Sequence, residues 1–122
     1  MPSILKEIAA NEPSVVKVEQ FIEIKSKQLV FYVRAFLARQ VEYAELDIFI
    51  WDMLEEWSQV KVEQNESYSE KERVFWHLIH QISFWPKDTL LTDTLLIDEL
   101  SICADFINGQ GGFPMDCIGV RP

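Results

Sequence analysis

The stretch "SEKERVFWHLIHQISFWP", residues 69–86, decides the fold. Ser69 and Glu72 stand at the S-x-x-E spacing of a capping box, in which the two side chains satisfy free N–H groups at a helix start. Behind them Val74, Phe75, Leu78, Ile79, Ile82 and Trp85 recur at three- and four-residue intervals, which places them on one apolar arc of a 3.6-residue helix. Pro86 closes the segment, because the residue before a proline is pushed out of the helical region. The pattern predicts a helix from 69 to about 84.

Working outward, the punctuation is that of a helical protein. All four glycines lie between positions 109 and 119, and before them proline occurs only at 2, 13 and 86. An all-β chain needs more frequent turn signals than this. The expected fold class is therefore all-α, an irregular bundle of about five or six helices closed by an extended tail. Downstream, "KDTLLTDT" at 87–94 reads as a connection in which Asp88 or Thr92 caps a last helix running from about 92 to 108. Gly109 suits the left-handed residue just past a helix end. In the tail, 108–122, apolar Phe113, Met115, Ile118 and Val120 alternate with Gly and Pro, so it is expected as an extended strap across its own bundle, with exchange between subunits as the alternative.

Upstream, a short helix is expected over 3–10, then a break at Asn11 and Pro13. A single helix over 14–60 would be about 70 Å long at 1.5 Å per residue, so interruptions are expected at "KSKQ", 25–28, and around 40–42. The segment 15–25 also has the alternation of a strand, and helix is preferred because no hairpin turn follows it.

With 122 residues, 48% of them hydrophobic, the chain is expected to form one domain over 1–122 with its own core. Even the most apolar run, 29–41, contains Arg34 and Arg39, which excludes a membrane span there. Residues 1–13 lack the basic start and continuous apolar run of a secretory signal, giving a cytoplasmic expectation. The net charge of −9 is unevenly spread: residues 1–40 carry six basic and four acidic side chains, 41–70 one basic and nine acidic. A central acidic surface disfavours nucleic-acid backbones, which are bound by clustered Lys and Arg. It favours a protein partner, of basic character, or a homodimer.

Two helical faces are candidate binding surfaces. Over 41–60, Leu46, Ile50, Met53, Leu54 and Trp57 form the core arc, while Glu42, Glu45, Asp52, Glu55 and Glu56 form the opposite one, with Ile48 and Phe49 among the acids. Large apolar side chains within an acidic surround are the composition of a partner-binding helix, and Glu45, Phe49, Asp52 and Glu56 are assigned to it. Over 69–85 the second face carries Arg73, Trp76, His77, His80 and Phe84, and Trp and Arg are the residues that dominate binding hot spots.

No metal or cofactor is expected. His77 and His80 lack the glutamate and spacing of an H-E-x-x-H helix, and Cys103 and Cys117 form no C-x-x-C pair and adjoin no histidine in sequence. The glycines follow a helix instead of opening one, so they do not form a phosphate loop. Over 92–108, Leu95, Leu96, Leu100, Ile102, Cys103, Phe106 and Ile107 form a wide apolar arc, and Glu99 falls in its middle. A carboxylate there needs Arg34, Arg39 or a histidine, which marks Glu99 as the candidate for a perturbed group. The preferred function is a non-enzymatic regulator, adaptor or inhibitor. The alternative is a small helical enzyme centred on Glu99, His77 and His80 with Arg34 or Arg39 in a pocket between helices, and it gains if Glu99 and either histidine converge within about 4 Å in a concave pocket.

Overall fold

The computed structural model describes residues 17–62, 66–114, 117 and 119–122. The helix expected over 3–10, the break at Asn11 and Pro13, and the side chains of Met115 and Ile118 lie outside them. Among the described residues there are five helices and no strand: α1 Val18–Leu37, α2 Tyr43–Trp57, α3 Glu70–Phe84, α4 Lys87–Thr92 and α5 Thr94–Ile107. α5 packs against both α1 and α3, while α2 lies along α1. None of these helices is long and apolar enough to cross a membrane.

The core is built from the expected arcs: Leu46, Ile50, Met53 and Trp57 of α2, Val74, Phe75, Leu78, Ile79 and Ile82 of α3, and Leu96, Leu100, Cys103 and Ile107 of α5 are all buried. Phe21, Ile22, Leu29, Val30, Val33 and Phe36 of α1 complete it. Aromatic rings meet at its centre, where Trp57 contacts Phe21 at 5.3 Å and Trp76 at 4.9 Å between centroids.

Two local expectations are corrected, and the preferred helix over the described part of 15–25 is found. α1 runs unbroken through 25–28. Lys and Gln are good helix formers and neither glycine nor proline interrupts them; Ser26 is buried within the helix, and Lys25 pairs with Glu56 of α2 at 2.7 Å. The described part of 15–25 is likewise helical, which removes the strand alternative from residue 18 onward. In the connection, 87–92 is itself a short helix, and the cap of α5 is Asp93, whose Oδ1 accepts from Leu96 N at 3.1 Å.

The break expected around 40–42 is present, and it has the same construction as the end of α5. Asn108 ends α5, Gly109 takes φ 85°, Gly109 N–H donates to Phe106 O at 2.9 Å and Gln110 N–H to Asp105 O at 2.8 Å. At the end of α1, Arg39 takes φ 61°, with Arg39 N–H on Phe36 O at 2.9 Å and Gln40 N–H on Ala35 O at 2.7 Å. Both are Schellman motifs, which satisfy the last carbonyls of a helix through one left-handed residue. One uses glycine for that residue and the other uses arginine.

Candidate functional site

The tail lies on its own bundle, and two anchors hold it there. Gly119 passes so close to α3 that a Cβ at this position would meet Arg73 O at 1.9 Å and His77 N at 2.7 Å. Only glycine allows this approach. Two residues on, Arg121 is clamped to Glu72, with Nε on Oε2 at 2.5 Å and Nη2 on Oε1 at 2.8 Å. Its Nη1 also donates to Glu66 O at 3.1 Å, its guanidinium stands 4.1 Å above the Tyr68 ring, and its backbone N–H donates to the Tyr68 hydroxyl at 2.9 Å. The Glu72 contact leads the causes that raise the Arg121 pKa.

Glu72 therefore does more than cap. The N-cap half of the expected box forms, with Ser69 Oγ accepting from Glu72 N at 3.0 Å. The carboxylate, however, turns inward, is only 2% exposed, and accepts from Trp76 Nε1 at 3.0 Å as well as from Arg121. Sequence reading missed this pairing. Its one signal was that Arg121 is the sole basic residue after Lys87.

The largest correction among the site residues lies on α3. Trp76, assigned to the outer face of α3, is fully buried. Its ring packs on Trp57 at 4.9 Å and on Phe75 at 4.8 Å between centroids, and its Nε1 donates to the buried Glu72, so α3 buries more of its circumference than one apolar arc. Trp85 moves the other way: assigned to the core, it follows the helix in extended backbone before Pro86 and is partly exposed, its Nε1 on Gln81 Oε1 at 2.7 Å. His80, Phe84 and Trp85 line a shallow depression with Gln81 and Ser83, and Arg73 is exposed nearby in sequence. In α5, Leu95 and Ile102 were also placed in the buried arc and are exposed.

On α2 the acidic face divides. Glu45, Asp52 and Glu55 are exposed as expected. Glu56 is held by Lys25, and Phe49 is half buried, stacked on Tyr32 at 4.7 Å between centroids. The apolar members left facing outward are Ile48, 60% exposed, and Trp51, 66% exposed. Trp51 was not assigned to this surface from the sequence, although its i+3 spacing from Ile48 puts the two side by side.

Under the tail, His77 Nε2–H donates to Glu99 Oε2 at 2.6 Å. The arginines proposed for a shared pocket do not join them: Arg34 pairs with Asp105 at 2.7 Å, and Arg39 reaches Leu91 O at 3.4 Å. His80 does not join them; it is exposed and lines the depression by Trp85. What does join His77 is Cys103 of α5 and Cys117 of the tail, the three ligand atoms all lying within 4.8 Å of one another. The two cysteines adjoin no histidine in the sequence, but both adjoin one in space. Burial, then the neighbouring Cys117 and the Glu99 carboxylate, raise the Cys103 thiol; burial also raises Cys117. Buried thiols held protonated are poor nucleophiles.

No family model, curated protein or solved structure matches the chain, and the geometry of these surfaces alone carries the functional reading.

Proposed function

We propose that the protein is a non-enzymatic binding protein whose α2 presents Ile48 and Trp51 within an acidic surround to a basic protein partner. The observation that supports this reading is Trp51: a tryptophan two-thirds exposed in the middle of a well-packed helix, one turn from Ile48 and flanked by Glu45, Asp52 and Glu55. Leaving that much apolar area in water is unfavourable, and an indole is among the side chains that contribute most when an interface closes over them. The acids suit Lys and Arg at the rim, where complementary charge speeds association and sets orientation more than it adds affinity.

The sequence-based alternative, an enzyme using Glu99, a histidine and an arginine, keeps its His77–Glu99 pair but lacks the arginine. It is the weaker reading.

The test uses the full chain as bait, followed by reconstitution with each purified partner. Wild type, Trp51→Ala and Glu45→Lys/Asp52→Lys are compared by titration at two salt concentrations. Trp51→Ala is expected to weaken binding by at least about 2 kcal/mol, or thirtyfold, with an unchanged fold. The charge reversal should mainly slow association and flatten its salt dependence. Partners that bind all three proteins equally would refute the assignment of the surface.

A further inference from the structure

The cluster beneath the tail is not used by the docking surface, and its composition is specific. We propose that His77, Cys103 and Cys117 form a binding site for a thiophilic divalent metal ion, Zn²⁺ in the first instance, which ties the tail to α3 and α5.

Three arguments carry this. The first is donor chemistry. Two thiolates and one imidazole are a zinc-type set, and two thiolates balance the charge of a divalent ion, so the buried centre would be neutral. The second is geometry. Ligand atoms on a tetrahedral zinc, with Zn–S near 2.3 Å and Zn–N near 2.0 Å, stand about 3.5–3.8 Å apart. Here the two thiol sulfurs and a ring nitrogen of His77 already lie within 4.8 Å of one another, close enough for small side-chain rotations to bring the three residues onto one ion. His77 and Cys103 come from packed helices, and Cys117 is set between the glycines and the Arg121 clamp. Only the tail has to settle.

The third argument is Glu99. It lies one turn before Cys103 on α5, and its carboxylate holds His77 Nε2–H at 2.6 Å. That leaves Nδ1 as the ring nitrogen able to coordinate. A carboxylate that fixes the tautomer and orientation of a ligating imidazole is the usual outer-shell partner of a zinc histidine. Glu99 is therefore a positioning residue. Two thiol protons leave as the ion enters, and the same burial that holds the thiols protonated without metal makes uptake depend on pH.

The experiment takes the full chain, reduced and metal-free, and titrates it with Zn²⁺ against a chromophoric chelator. Co²⁺ serves as the spectroscopic probe. The expected result is stoichiometric binding at about 0.1 μM or tighter, the weak end of structural zinc sites. Co²⁺ should give thiolate charge-transfer bands and tetrahedral ligand-field bands. Zn²⁺ should release two protons per ion and protect both cysteines from alkylation.

Cys117→Ser should halve the charge-transfer intensity and weaken Zn²⁺ by more than about a hundredfold, whereas Glu99→Gln should cost about 10- to 100-fold and leave the thiolate bands in place. If Cys103→Ser fails to fold, the wild-type proton release and thiol protection, with the tail variant, still decide the matter. Absence of stoichiometric binding would overturn the proposal. So would an octahedral cobalt spectrum without thiolate bands, affinity unchanged in Cys117→Ser, or a purified chain in which Cys103 and Cys117 are joined as a disulfide.

Discussion

Replacing Arg121 with alanine removes the cation from a carboxylate that has almost no contact with water. Glu72 is 2% exposed and receives two hydrogen bonds from the guanidinium, at 2.5 and 2.8 Å; after the substitution only the neutral Trp76 Nε1 donor at 3.0 Å is left. Breaking a buried ion pair by deleting one member costs about 3–5 kcal/mol, because the other charge stays behind without its partner. The stacking on Tyr68 and the contact with Glu66 O are lost within the same figure. For a chain of this length, about 4 °C of melting temperature per kcal/mol converts this to a fall of about 12–20 °C. Arg121→Lys keeps the charge but not the two-pronged geometry, and should lie between the two. Urea unfolding followed by circular dichroism measures each free energy. Adding Glu72→Met and Arg121→Met, singly and together, completes a double-mutant cycle. The double variant should recover most of the loss, since an apolar pair of similar volume replaces a buried ion pair at little cost. A loss below about 1 kcal/mol for Arg121→Ala, or singles that add without coupling, would show that the clamp is ornamental to stability.

Two further outcomes follow from local geometry. Arg39 holds a left-handed conformation at φ 61°, and its side chain makes only one weak contact, at 3.4 Å to Leu91 O, so Arg39→Gly should raise stability by about 0.5–1 kcal/mol in chemical denaturation. Burial raises the Cys103 thiol above its ordinary value. The folded state therefore keeps a proton that the unfolded chain releases, and the stability from this group is complete below about pH 8.5 and lost as pH rises beyond it. Metal-free protein should lose up to about 1.4 kcal/mol per pH unit in that range, and Cys103→Ala should flatten the slope; an equally steep slope in the variant would assign the effect elsewhere.

The helices and their core faces were legible because each is a local pattern. Val74 to Ile82 in α3 and Leu46 to Trp57 in α2 need only their own spacing to declare which side is buried, and Gly109 needs only its place after a periodic run. What was not legible depends on chain segments far apart in sequence. Trp76 looked like a surface residue because the ring it packs on, Trp57, lies on α2, and the cation that pairs with its Glu72 acceptor, Arg121, lies in the tail. Arg39 stood where glycine would have announced the turn, and "KSKQ" resembled a break although nothing in it forbids a helix. The candidate metal ligands were hidden in the same way. His77, Cys103 and Cys117 have no motif spacing, and the histidine that sequence proximity offered to His77 was His80, which is exposed in the depression by Trp85. Glu99 was the exception: an acid in an apolar arc demands a partner, and His77 supplies it.

The passage of the tail over α3 also has a consequence for synthesis. Ribosomes deliver the chain from residue 1 onward, so α1 to α5 have all been made before position 121 is added. Until then Glu72 has no guanidinium, and Cys117 has not joined His77 and Cys103. Packing α3 fully at that stage would bury an unpaired carboxylate. The glutamate is thus laid down 49 residues before the arginine that pairs with it.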